Sequence, residues 1–198
     1  MSAKFQNKFR NGSIRLQHWD YGWDAAYFIT ICSRDRENFF GRIQDGKMNL
    51  SRTGVVADVL WHEIPNHAKN VELGEFVVMP NHIHGIIILS GNKQPLTTDN
   101  INVDDVGPRH ALGLHLPTPE KTTGQKRFQN QGKNTISSIV GSYKSAVTKH
   151  VNRLDLKLAW QPLFYDHIIR NQKSYERISH YIQTNPMHWK EDKFFPEQ

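Results

Sequence analysis

The eight residues HIHGIIIL, at 82–89, constrain the fold of this 198-residue chain more than any other stretch. An extended strand projects successive side chains to opposite faces, and here both faces are apolar. Such a strand has to be central in its sheet, with a layer covering each side. Yet the run opens with two histidines one residue apart. His82 and His84 share one face, and Ile83 takes the other. Imidazole is costly to bury without partners. Either the pair is bonded to backbone or water, or the two rings converge on one ion about 2 Å from each nitrogen.

The rest of the chain supplies the layers. AAYFITICS (25–33) reads as a buried strand, rich in β-branched and aromatic residues. FFGRIQDGKMNL reads as a hairpin turning at Asp45-Gly46. Val55, Val56, Val59, Leu60 and Ile64 recur at helical spacing, which predicts a helix over 51–64 that Pro65 ends. VELGEFVVM is a strand, and Pro80-Asn81 is a short turn into the histidine strand. Ile136, Ile139, Val140, Tyr143, Val147 and Val151 define a second helix, with Asn134 or Thr135 as N-cap. WQPLFYDHIIR contains a strand, and a last helix over 173–185 is closed by Pro186. This order predicts an α+β fold, a ferredoxin-like sandwich. It would be an antiparallel sheet with helices on one face, plus an added C-terminal helix. Between 90 and 132 the pattern dissolves into Gly, Pro, Thr, Asn and charges, so a mobile insertion in a single domain over 1–198 is expected.

Charge and composition narrow the partners. The formal net charge is +6, which favours a polyanion. KFQNKFRNGSIR near the start and QKRFQNQGKN at 125–134 interleave basic residues with aromatics, the combination that single-stranded nucleic acid requires. A lone cysteine, Cys32, lies in an apolar run and excludes both a disulfide framework and a thiolate zinc site; a small buried hydrophobe is its expected role. No apolar run approaches a membrane span and no secretory leader is visible, so a soluble, cytoplasmic protein is expected.

The last helix, KSYERISHYIQTNP, has a definite phase. With Ile178 at zero, Ile182 falls at about 40°, Asn185 at about 340° and Tyr181 at about 300° around the axis. The isoleucines form an inward face. Tyr181 and Asn185 border it together, four residues apart. A helix docked by those isoleucines would turn a phenol and an amide oxygen toward one spot. Asn185 then offers a third metal ligand and Tyr181 a nucleophile. The plainer alternatives are a packed tyrosine and an asparagine that terminates a helix before proline.

With these blocks in view, the chain resembles the REP-associated tyrosine transposases, single-tyrosine members of the HUH endonuclease group, named for His, a hydrophobic residue, His. The resemblance runs through SIRLQHWDYGWDAAYFITICS, VELGEFVVMPNHIHGIIIL, SSIVGSYKSAVTKHVN and WQPLFYDHIIRNQKSYERISHYIQTNP. MPNHIHG together with the closing YIQTNP carries its specificity. The resemblance implies that His82 and His84 bind a divalent metal, Mg²⁺ or Mn²⁺, and that Tyr181 attacks DNA. It also implies that Asn185, one turn later, completes the metal site, although many mobile members have Gln there. The implied reaction cleaves and rejoins single-stranded DNA through a covalent 5′-phosphotyrosine at REP-type hairpins. The implied partner is single-stranded or hairpin DNA, and the protein would be a monomer or a homodimer.

Tyr143 is a rival nucleophile, but its phase matches the core face of its helix. Lys144 and Lys149 leave that face and would meet either phosphates or solvent. Arg170 and Asn171, after the last strand, are further candidates for DNA contact. His62 and His110 lack paired spacing and receive no role. Two other functions stand beside the transesterase: a non-catalytic DNA-hairpin-binding protein on the same scaffold, and a metal-dependent hydrolase that forms no covalent adduct.

Overall fold

The computed structural model describes residues 19–91 and 134–195, together with the backbone of two short paired strands, β1 (Lys4–Phe5) and β2 (Lys8–Phe9). The segment expected to be an insertion, and most of both basic aromatic segments, lie outside the described residues.

The central sheet has four antiparallel strands: β3 (Ala25–Cys32), β6 (Val71–Val78), β7 (His82–Leu89) and β8 (Tyr165–Ile169), in the order β6-β7-β3-β8. Two helices join them: α1 (Arg52–His62) between β3 and β6, and α3 (Ile136–Arg153) between β7 and β8. This is the ferredoxin-like βαββαβ arrangement, with a further helix, α4 (Gln172–Thr184), added after the last strand. The hairpin β4 (Gly41–Gln44) and β5 (Lys47–Leu50) stands apart from the sheet. Its turn residues Asp45 and Gly46 both have positive φ, 50° and 70°, the requirement of a type I′ turn.

The strands sort their side chains by parity. Tyr27, Ile29 and Ile31 of β3, with Ile83 and Ile87 of β7, enter a large core with Ala57 and Trp61 of α1 and the Ile136–Val151 stripe of α3. On the other face Ile86 and Ile169 close a second core against Ile182 of α4, with Phe28 and Ile178 half-buried at its edge. The histidine strand is therefore covered on both sides. Gly85 belongs to the first face, where any side chain would run into the indole of Trp61. That indole is stacked on Phe76, with ring centroids 4.7 Å apart.

Caps hold the helices in register. The Ser51 hydroxyl accepts from Gly54 N at 3.0 Å, and Thr135 and Ser138 form a reciprocal box at the start of α3. Tyr143 is buried and donates to the Ala57 carbonyl at 2.8 Å, tying α3 to α1; it is a core residue.

Both helices expected to end at a proline do end ahead of it, and each proline also begins the next turn. Helix α1 ends at His62, and Pro65 sits in the first turn of a one-turn helix, α2 (Ile64–His67). Likewise α4 ends at Thr184, and Pro186 sits in the first turn of a 3-10 segment, Asn185–Glu191. Proline lacks an N–H, but first-turn positions do not use one, so it can open a new turn where the preceding helix has ended. No helix among the described residues is long and apolar enough to cross a membrane.

Candidate metal and nucleophile site

The sheet face opposite α1 and α3 carries His82 and His84, whose ring centroids are 4.4 Å apart. Both rings are essentially excluded from solvent, at 0 % and 1 % exposure. Each has one nitrogen held by a neighbour. His82 Nδ1 lies 2.8 Å from Oδ1 of Asn81, and His84 Nδ1 lies 2.9 Å from Oγ1 of Thr30, its cross-strand partner on β3. Phe28, also on β3, flanks the His84 ring at 5.2 Å.

Helix α4 lies over this face because Ile182 is driven into the second core. That phase sets Tyr181 at the rim, 39 % exposed, with its hydroxyl 3.2 Å from Nε2 of His84. The 3-10 turn that follows brings the chain back. Asp192 Oδ2 accepts from the Tyr181 hydroxyl at 3.3 Å and from Asn185 Nδ2 at 3.0 Å, while Asp192 Oδ1 accepts from Phe194 N at 2.7 Å. The Phe194 ring covers the histidines, 4.5 Å from His82 and 6.0 Å from His84.

Electrostatics follow from this burial. Desolvation, reinforced by the Lys193 ammonium, lowers His82 to about 3. Desolvation also holds His84 well below the usual imidazole range, with His82 acting in the same direction. Both rings are neutral at pH 7 and keep a lone pair for coordination. Burial first, then the Asp192 charge, pushes the Tyr181 phenol up to about 12, so it is fully protonated at neutral pH.

Two buried polar atoms here have no partner: Nε2 of His82 and Oδ1 of Asn185. Unmet acceptors in a dry site are costly unless something binds them. His82, His84 and Asp192 each offer a ligand atom, and these atoms lie within 4.8 Å of one another, a spacing that can hold a metal ion. Two imidazoles and hard oxygens suit a divalent cation that accepts mixed N/O ligands.

The residues picked out in the sequence divide in two. His82, His84 and Tyr181 meet at one place, and Asn185 joins them through Asp192 and through a side-chain hydrogen bond to Tyr181. The other four lie elsewhere. Lys144 and Lys149 sit on α3, in the helix layer across the sheet. They line a shallow groove of about 400 Å³ with Trp160 and Thr148. The Lys144 amine already donates to the Gln161 and Leu163 carbonyls, at 2.8 and 3.2 Å. Asn171 is the N-cap of α4, accepting from Ser174 N at 2.9 Å, and Arg170 beside it is exposed. Cys32 is a half-buried free thiol paired across the strands with His82. Asp192 was not visible in the sequence. It lies in the charged run KEDK, which reads as solvated surface, and only the 3-10 turn aims it inward.

A protein of Haemophilus influenzae, itself described only as an uncharacterized protein, is 36 % identical over 187 residues, 92 % of each chain. This chain belongs to the same family as that protein. A solved structure of a REP-associated tyrosine transposase bound to a REP hairpin is similar in fold. Its TM-score is 0.53 at 18 % identity, over 89 % of this chain and 74 % of that one. No family model matches the chain.

Proposed function

We propose that this protein is a metal-dependent, single-stranded-DNA transesterase of the tyrosine HUH type. Tyr181 would be its nucleophile, and a DNA hairpin with a single-stranded flank its substrate. The observation that carries this reading is the Tyr181 hydroxyl, 3.2 Å from His84 on a face shared with His82. A phenol next to two neutral imidazoles and a carboxylate is the group set that phosphoryl transfer to tyrosine needs. The transposase-like fold supports it, and the hairpin bound by that neighbour supplies the class of substrate.

His82, His84 and Asp192 would hold the cation, with the free Oδ1 of Asn185 beside them. When bound, the cation supplies Lewis-acid polarisation of the scissile phosphate. Imidazole ligands favour Mn²⁺ over Mg²⁺. The chain's own groups do the rest. Tyr181 is the exposed member of the set and attacks phosphorus. The phenol oxygen–phosphorus bond forms as the bond from phosphorus to the 3′ oxygen breaks. The phenol proton leaves toward Asp192 Oδ2, which already accepts it, and the departing 3′ oxygen takes a proton from solvent. The product is a 5′-phosphotyrosine and a free 3′-hydroxyl. Attack by a 3′-hydroxyl reverses the step and rejoins DNA without ATP. Because the histidines are buried beneath the Phe194 ring, that side chain has to swing aside for a phosphate to reach them, while Asp192 keeps its place.

The test is incubation of a 3′-labelled hairpin with Mn²⁺, followed by a denaturing gel. A labelled band at protein mass, lost in Tyr181→Phe, is the expected result. Cleavage without any such band would make the protein a hydrolase, and hairpin binding without cleavage would make it a binding protein.

A further inference from the structure

Asn81 stands one residue before the first histidine and is 1 % exposed. The reaction proposed above gives it no task. Its amide makes three contacts. Nδ2 donates to the Phe194 carbonyl at 2.8 Å and to the Arg36 carbonyl at 3.2 Å. Oδ1 faces Nδ1 of His82 at 2.8 Å. Main-chain carbonyls only accept, so the amide nitrogen, with its two protons, is the end that has to face them. The amide orientation is thus fixed by chemistry and not by an arbitrary choice between two look-alike atoms.

One consequence follows for the imidazole. An amide oxygen can only accept, so the His82 nitrogen facing it has to carry the proton. Nε2 is then the bare lone pair, and it is the buried atom that has no partner. The opposite tautomer would set two lone pairs against each other across that contact. It would also bury an Nε2–H with no acceptor. We infer that Asn81 is a positioning residue that locks His82 in its Nδ1–H tautomer and so presents Nε2 to a divalent cation. This rests on the metal-site reading above, but the tautomer itself needs neither metal nor DNA.

The lock is tertiary. Arg36 belongs to the 3-10 turn after β3, and Phe194 to the segment after α4, so two distant stretches of chain hold one amide. His84 has no equivalent, because its Nδ1 faces the Thr30 hydroxyl, which can both donate and accept. Loss of the Asn81 amide should therefore act on His82 and spare His84.

The experiment uses the full chain, metal-free and labelled with nitrogen-15 histidine. Long-range proton–nitrogen correlation spectra report which nitrogen of each ring is protonated. Wild-type His82 is expected to carry its proton on Nδ1. In Asn81→Ala, with a cooperative melt confirming that it folds, that preference is lost, and Mn²⁺ affinity measured by direct titration falls ~10–100-fold. A wild-type His82 protonated on Nε2 overturns the inference. So does an Asn81→Ala variant that keeps both the tautomer and the Mn²⁺ affinity. Should Asn81→Ala not fold, the wild-type spectrum decides alone. Because the readouts use neither DNA nor turnover, a protein that shows the expected tautomer but forms no adduct would refute the transesterase reading and uphold the role of Asn81.

Discussion

At the scale of single residues, the site is a set of groups whose properties come from burial. Desolvation keeps both imidazoles neutral and the Tyr181 phenol protonated. Tyr181→Phe removes one oxygen and leaves the ring against Phe28, so stability and hairpin affinity should be unchanged while adduct formation disappears on a denaturing gel. A second prediction ranks the oxygen ligands. Asp192 carries a charge and Asn185 does not, so Asp192→Ala should weaken Mn²⁺ binding more, by ~10–100-fold. Titration of both variants checks this, and the reverse order would make Asn185 the principal ligand. The residue scale is also where the sequence was most legible. Strand alternation alone put His82 and His84 on one face, and helical phase put Tyr181 beside the inward isoleucines. Asp192 escaped because no periodicity governs a carboxylate in a charged run beyond a helix. Asn171, a candidate for DNA contact, sits just before α4 and serves as its N-cap, a role its position also fits.

At the scale of elements, α4 is the part that gives the histidines their tyrosine. Its anchor is Ile182, fully buried between Ile86 and Ile169. Ile182→Ala should cost about 2–5 kcal/mol of stability by denaturant unfolding. It should also lower the rate of adduct formation, because Tyr181 is the next residue along. A comparable cut on α3 should behave differently. Thr135→Ala removes the capping box and should cost about 0.5–2 kcal/mol, yet leave adduct formation at the wild-type rate in the folded protein. Strands and helices were legible because each has a period. Their ends were less so. Pro65 and Pro186 read as stops, but each takes a first-turn position where its missing N–H is harmless. The turn at Pro186 has the larger effect, since it brings residues 192–195 back onto the site.

At the scale of the whole molecule, the sheet separates two tasks. One face, under α1 and α3, is the main core, and the other, under α4, carries the candidate site. The order of elements along the chain was enough to predict the sandwich and its extra helix. Pairing across the sheet, such as Thr30 with His84, and the cover provided by Phe194 depend on tertiary placement that no local pattern encodes. That cover leads to a prediction. Phe194→Ala should expose His82 and His84, raising their modification by diethyl pyrocarbonate, read site by site by mass spectrometry, ~10-fold, the worth of one aromatic contact. Unchanged reactivity would show that something other than Phe194 shields the pair.

The most direct measurement is the fate of a 3′-labelled hairpin mixed with the wild-type protein and Mn²⁺, then denatured. Tyrosine-mediated transesterification predicts label covalently attached to the protein, with peptide mapping placing it on Tyr181 and none in Tyr181→Phe or His82→Ala. Label mapped to another residue, or an undiminished adduct in Tyr181→Phe, would contradict it.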